Sequence, residues 1–103
     1  MIRHIVCFKF KDFAGGKPKA ENLKEAKARM MALKGQIPEL TTLDVYFGAP
    51  GQAPGNFDYI LVSDFETLEQ LEAYQRHPAH VAFGQFVKEL REPDGRTCID
   101  YEL

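Results

Sequence analysis

The chain has 103 residues, enough for one domain with a modest hydrophobic core and too few for two. Hydrophobic residues make up 45% of it and charged residues 27%, and the formal net charge of −2 gives no reason to expect nucleic acid or an anionic membrane as a partner. No apolar run is long enough to span a membrane, and the N-terminal stretch lacks the pattern of a signal peptide. We therefore expect a single cytoplasmic domain over residues 1–103, with Cys7 and Cys98 as reduced thiols in its core.

The hydrophobic pattern predicts four strands and two helical regions, since strands alternate with a period of two and helices carry an apolar stripe. The predicted elements are a strand over residues 2–11, a helix over 19–37, strands over 40–47 and 57–65, a helix in two segments over 67–76 and 78–91, and a strand over 96–103. The remaining stretches are read as a loop over 12–18, a long exposed connection over 48–56 and a turn over 92–95. This β-α-β-β-α-β order predicts an α+β, ferredoxin-like fold, with a four-stranded antiparallel sheet and both helices on one face.

The second helical region contains a break at His77. Pro78 lacks the amide proton that a helix interior uses and disfavours helical geometry at His77, yet a proline suits the first turn of a new helix. His80 then begins a helical stripe that continues through Phe83, Val87 and Leu90. We therefore expect the imidazole of His80 to point inward.

The sheet face that the helices leave uncovered also carries apolar side chains. They include Ile5, Cys7, Ile60 and Val62, with more from the second and fourth strands. An exposed patch of this kind favours association, and a second copy packed sheet to sheet would cover it in an isologous dimer. The sequence therefore predicts a homodimer.

Three stretches resemble a known family. The opening IRHIVCFKFK at residues 2–11, the HPAHV at 77–81 followed by FG at 83–84, and the closing IDY at 99–101 resemble the stress-responsive dimeric α/β-barrel (Dabb) domain. The resemblance extends from residue 2 to residue 101 and is weakest in the loop over 48–56. Members of that family are homodimers whose two sheets form a barrel, which agrees with the prediction from the apolar face.

The resemblance also implies a chemistry. It includes a plant polyketide cyclase, which is similar to this chain in the DVYFG of residues 44–48 as well. In that enzyme a histidine and a tyrosine promote the aldol closure of a linear polyketide thioester without metal or organic cofactor. The resemblance assigns those two roles to His80 and Tyr74, places His4 in the lining of the pocket, and makes His77 the first histidine of the motif.

Two functional interpretations follow. In the first, His4, Phe8, Tyr74, His77 and His80 belong to an apolar pocket that binds a small hydrophobic or carbonyl compound. A neutral imidazole at His80 then acts as base and Tyr74 polarises the substrate or relays a proton, as in a cofactor-independent, polyketide cyclase-like lyase or isomerase. In the second, the protein is a non-enzymatic stress-response structural or binding protein with a closed core, in which His80 bonds only to backbone. An accessible cavity at His80 distinguishes the two.

We expect neither a metal nor a cofactor. His77 and His80 are separated by the proline break, no carboxylate lies beside them in the sequence, and compact ligand spacing is what zinc sites use. No glycine-rich phosphate loop and no nucleophile elbow is present. The basic residues of the first helix have no accompanying aromatic residues, so they are read as a solvated helix face and not as a nucleic-acid surface.

Overall fold

The computed structural model describes residues 1–103 and contains a four-stranded antiparallel sheet in the order β4-β5-β1-β6. Its elements are β1 (Ile2–Phe10), β2 (Phe13–Ala14), β3 (Lys17–Pro18), α1 (Lys19–Leu33), β4 (Thr42–Phe47), β5 (Tyr59–Phe65), α2 (Leu68–Arg76), α3 (Pro78–Lys88) and β6 (Arg91–Glu102). Strands β1 and β5 alternate between buried and half-buried residues, because the helices cover one face of the sheet. The predicted ferredoxin-like fold is confirmed.

The first helix ends earlier than predicted. Helix α1 stops at Leu33, and residues 34–37 form a tight turn in which Gln36 and Ile37 both donate to the carbonyl of Leu33 at 2.9 Å. Bonds of this short-range kind satisfy the last carbonyls of a helix. Ile37 is nevertheless buried. Its predicted place in the apolar stripe is therefore confirmed, whereas its predicted place inside the helix is wrong.

The last strand begins earlier than predicted. Strand β6 starts at Arg91, so the turn predicted over residues 92–95 lies inside a strand. The pairing of β6 with β1 shifts register at this point, which marks a bulge. A Cβ at Gly95 would lie 2.6 Å from the carbonyl oxygen of Lys9, so the bulge brings two backbones together at a distance that only glycine permits.

The stretch read as a loop over residues 12–18 contains the small hairpin β2–β3. Gly15 and Gly16 form its turn with φ angles of 59° and 76°, which the two-residue hairpin turn requires. The other bounds differ from the predicted ones by a few residues: β4 begins at Thr42, β5 begins at Tyr59 and α3 ends at Lys88.

The helix break lies where it was predicted. Helix α2 ends at Arg76, α3 begins at Pro78, and His77 has extended backbone geometry between them. Phe83 and Val87 are buried on the inner side of α3, in agreement with the predicted stripe. No helix of the chain is both long and apolar enough to cross a membrane.

The two cysteines are free, as expected, but neither lies in the core. Cys7 is half-buried on the outer face of the sheet. Cys98 is on the inner face but exposed, because β6 is an edge strand that the helices do not fully cover. The prediction of core thiols is therefore wrong in location.

Candidate functional site

A partly enclosed cavity of about 140 Å³ lies between helices α2 and α3 and the inner face of the sheet. Four of the five site residues predicted from the sequence line it, namely His4, Phe8, Tyr74 and His80. A cavity of roughly 150 Å³ accepts benzene in a protein interior. This cavity therefore matches one ring-sized molecule, with apolar contacts from Phe8, Leu61 and Phe83.

His80 lies in the first turn of α3 with its ring orientation fixed. Its Nδ1 is 3.0 Å from the carbonyl oxygen of Gln75, across the helix break. Because a carbonyl only accepts, Nδ1 carries the proton, and in the neutral ring Nε2 keeps a lone pair. Burial lowers the pKa of His80, and the charges of His4 and Arg96 lower it further against the opposing effect of the Gln75 bond. The ring is therefore neutral at pH 7.

Tyr74 lies between the two histidines. It is fully buried on α2, and its ring centroid is 4.5 Å from that of His80 and 6.1 Å from that of His4. Burial is the main reason that the pKa of Tyr74 is raised, with a further contribution from Cys98 and an opposing one from Arg96. The phenol therefore keeps its proton at neutral pH and can donate a hydrogen bond.

His4 lies in the middle of β1 and is almost as deeply buried as Tyr74, with 1% of its surface exposed. Its Nδ1 is 2.5 Å from Oδ1 of Asp100, the residue directly opposite it on β6. The carboxylate accepts the Nδ1 proton in a charge-assisted bond. Cys98, two residues before Asp100 on the same face, places its Sγ 3.7 Å from the same nitrogen.

His77 does not line the cavity. Its Nδ1 accepts a hydrogen bond of 3.1 Å from the backbone N–H of Ala79, so the side chain caps the start of α3. The structure thus brings His4, Phe8, Tyr74 and His80 together and gives His77 a separate position at the helix break.

Three cationic residues that the sequence analysis did not single out also line the cavity: Lys88, Arg91 and Arg96. None of the lining residues is acidic, and none of these three cations forms an ion pair within the chain. Arg91 instead donates to two backbone carbonyls, those of Glu92 and Pro93. The wall of the cavity therefore favours negative charge on a bound molecule.

A larger groove of about 400 Å³ lies elsewhere, near the end of β1. In this groove, Nζ of Lys19 is 3.3 Å from Oδ1 of Asp12 and 3.5 Å from Oδ1 of Asp58, so the charges of these three residues are paired with one another. It holds none of the histidines or tyrosines, and we regard the smaller cavity as the candidate site.

These features define a ferredoxin-like α+β protein with a small cavity between helices and sheet, lined by two oriented imidazoles and a buried phenol. Comparison with known proteins gives the family. The sequence model of the stress responsive A/B barrel domain (Dabb) matches residues 2–103, and the chain belongs to this family. The predicted resemblance is confirmed.

Individual relatives agree with this. The chain is 30% identical over 94 residues to olivetolic acid cyclase of Cannabis sativa, a match that covers 88% of this chain and 87% of that protein. It resembles the crystal structure of a dimeric protein with a ferredoxin-like fold from Bacteroides fragilis, with a TM-score of 0.82, 31% identity and coverage of 99% and 95% of the two chains. A dimeric ferredoxin-like protein from Thermobifida fusca gives a TM-score of 0.81 at 26% identity, with coverage of 99% and 90%.

Proposed function

We propose that this protein is a homodimer, with one domain over residues 1–103, that binds a ring-sized carbonyl compound and promotes proton transfer or aldol-type closure without a cofactor. His80 is the base and Tyr74 the polarising or relaying group. The observation that carries the proposal is the bond from His80 Nδ1 to Gln75, which leaves Nε2 of a neutral imidazole unengaged beside Tyr74 at a cavity.

The reaction begins at a C–H bond next to a carbonyl. His80 Nε2 removes that proton, and the electron pair moves through the new C=C bond onto the carbonyl oxygen. The phenol of Tyr74 donates a hydrogen bond to this oxygen, and the unpaired cation of Arg96 favours its negative charge. In a closure, the enolate carbon attacks a second carbonyl and the resulting alkoxide takes the proton back from His80. No group outside the substrate and these side chains is needed to balance the step.

His4 and Phe8 contribute to binding in this proposal. The charge-assisted bond to Asp100 fixes the ring of His4, so its polar edge has one orientation toward a ligand. Phe8 and Phe83 supply apolar surface. Because the cavity holds about one ring, a substrate the length of an extended polyketide would require the helices to separate, whereas a single-ring compound would not.

The proposed dimer rests on the outer face of the sheet. Ile5 pairs with Val62 on one side and with Ile99 on the other, which makes an apolar row across three strands. Ile99 is 60% exposed and Tyr101 39% exposed in the single chain. The two solved relatives described above are dimeric, which supports the same assembly here.

The dimer is tested with two substitutions at equally exposed positions. Ile99→Asp places a charge in the proposed interface, and Leu68→Asp places one at the start of α2, where Leu68 is 57% exposed. We expect light scattering after size exclusion to show a dimer for the wild type and for Leu68→Asp, and a monomer for Ile99→Asp. Equal masses for the two variants would contradict the sheet-to-sheet interface.

The alternative function is a binding or structural protein without catalysis. The observation that favours it is the same His80–Gln75 bond, because it joins α2 to α3 across the break and so gives the histidine a structural role. The two functions differ in whether Nε2 of His80 removes a proton from a bound molecule.

The deciding measurement is an NMR titration of the His80 ring with and without a panel of single-ring phenolic and carbonyl compounds. If the proposal is correct, the ring titrates below the ordinary histidine pKa and its signals shift with saturable ligand. His80→Gln and Tyr74→Phe then lose proton exchange at the α-carbon of a bound ketone, while His77→Gln, which changes only the cap, keeps it. A ring that ignores every ligand supports the structural alternative instead.

A further inference from the structure

Three side chains with metal-binding atoms converge at the edge of the sheet, and only one of them also lines the proposed substrate cavity. They are His4 on β1 and Cys98 and Asp100 on β6. Asp100 lies directly opposite His4 in the strand register, and Cys98 lies opposite Val6, two residues away on the same face. Nδ1, Sγ and Oδ1 all lie within 4.8 Å of one another.

We propose that His4, Cys98 and Asp100 form a binding site for a divalent cation of the zinc class. Imidazole nitrogen, thiolate sulfur and carboxylate oxygen are the three ligand types that zinc uses. The softer thiolate selects against Mg²⁺ and Ca²⁺, which prefer oxygen alone. Three protein ligands leave one coordination position for water or a small ligand.

Two of the three ligand–ligand distances are close to those of a tetrahedral site. With metal–ligand bonds of roughly 2.0–2.3 Å, neighbouring ligand atoms in a tetrahedron lie about 3.4–3.6 Å apart. The sulfur of Cys98 is 3.7 Å from the His4 nitrogen and 3.9 Å from the Asp100 oxygen. The nitrogen and oxygen are closer, at 2.5 Å, because they share a proton that a metal would replace.

The surroundings allow the metal to enter and the ligands to adjust. His4 is buried in the middle of the sheet, whereas Cys98 and Asp100 are exposed on the edge strand β6, where their side chains reach solvent. The nitrogen–oxygen pair must widen by about 0.9 Å to reach a tetrahedral separation, and this movement falls on the exposed carboxylate. On binding, the thiol proton of Cys98 leaves to solvent and the Nδ1 proton of His4 moves to Nε2, so one proton is released for each cation.

The site uses neither His80 nor Tyr74, but it shares His4 with the proposed substrate cavity, and a bound metal would replace the His4–Asp100 hydrogen bond. It also differs from the expectation of no metal, which considered the three histidines but no ligand from the last strand.

The test uses Co²⁺ as a spectroscopic substitute and Zn²⁺ in calorimetry, on the full chain with its thiols reduced. A cobalt–sulfur bond gives an intense charge-transfer absorption that nitrogen and oxygen ligands do not. The chain offers a matched control, because its other thiol, Cys7, lies on the opposite face of the sheet.

We expect one Zn²⁺ per chain and a cobalt–thiolate band in both the wild type and Cys7→Ser. Cys98→Ser should lose the band, and both it and Asp100→Asn should weaken Zn²⁺ binding by more than the roughly 10–100-fold that the loss of an outer-shell partner costs. Circular dichroism verifies that both variants remain folded. The proposal is overturned if the wild type binds no stoichiometric Zn²⁺, if Cys98→Ser binds it as tightly as the wild type, or if the band disappears in Cys7→Ser.

Discussion

Ser63 carries the one buried side-chain oxygen that has no hydrogen-bond partner in the chain. It is 1% exposed on the inner face of β5, opposite Leu43 on one side and His4 on the other. A buried hydroxyl without a partner has lost its hydrogen bonds to water and gained none in return. We therefore predict that Ser63→Ala stabilises the protein.

The expected gain follows from two opposing contributions. Leaving a buried polar group unpaired costs about 1–3 kcal/mol, and removing it recovers that free energy. The substitution also deletes the packing contacts of one oxygen atom, so the net gain in the free energy of unfolding is about 1 kcal/mol. In a domain of this size, that corresponds to a rise in melting temperature of about 4–8 °C.

Thr67→Ala is the matched control, because it removes a hydroxyl that is paired. Oγ1 of Thr67 accepts from the backbone N–H of Gln70 at 3.2 Å and caps α2, so its loss should cost about 1 kcal/mol. Thermal melting followed by circular dichroism and urea unfolding measure the stability of both variants. The slope of the free energy of unfolding against urea concentration should stay unchanged, because the surface exposed on unfolding is the same. If Ser63→Ala lowers the stability as Thr67→Ala does, the Ser63 hydroxyl is paired in solution and the reasoning is refuted.

Three further changes test other parts of the structure. Asn22→Ala should lower the free energy of unfolding by about 1–3 kcal/mol, because this buried amide donates to the carbonyls of Ala14 and Lys17, and urea unfolding measures the loss. Burial, His4 and Arg96 lower the pKa of His80 in the folded protein. As the pH falls below about 6.5, the unfolded chain therefore binds a proton at His80 before the folded protein does, and the free energy of unfolding should decrease through that range. The difference between the wild type and His80→Gln in unfolding experiments at several pH values isolates this contribution. Arg96→Gln should raise the pKa of His80 in an NMR titration, whereas Arg76→Gln, on the exposed side of α2, should not.

Periodicity was enough to predict part of the cavity lining, although not Tyr74 or the three cationic residues. The alternation in β1 placed His4 and Phe8 on the covered face, and the helical spacing after Pro78 placed His80 at the head of a stripe. These predictions hold because an element that is buried on one side carries apolar residues at a regular spacing, every second residue in a strand and every three to four residues in a helix. Tyr74 depended on the family resemblance, since nothing in its own neighbourhood distinguishes it from an ordinary helix tyrosine.

Strand pairing was not predictable in the same way. Asp100 contacts His4 across 96 residues of sequence, and Cys98 contacts it across 94. Their shared face was readable from the alternation in β6, but the register that opposes Asp100 to His4 depends on how the edge strand is aligned with β1. That alignment includes the bulge at Gly95, where the sequence pattern predicts a turn. A cluster of ligand atoms drawn from two paired strands can therefore be recognised only from the three-dimensional structure.

The two histidines at the cavity are each oriented by a hydrogen bond at Nδ1, but the acceptors differ. In both, Nδ1 is bonded to an oxygen, so without a bound metal Nε2 is the nitrogen that faces a ligand in the cavity. The acceptor for His80 is a neutral carbonyl, and burial of the ring lowers the pKa of His80 in spite of this bond. The acceptor for His4 is a carboxylate, and a charged acceptor holds the ring more strongly. His80 is suited to remove a proton, and His4, which Asp100 anchors, is suited to orient what is bound, with Tyr74 between them.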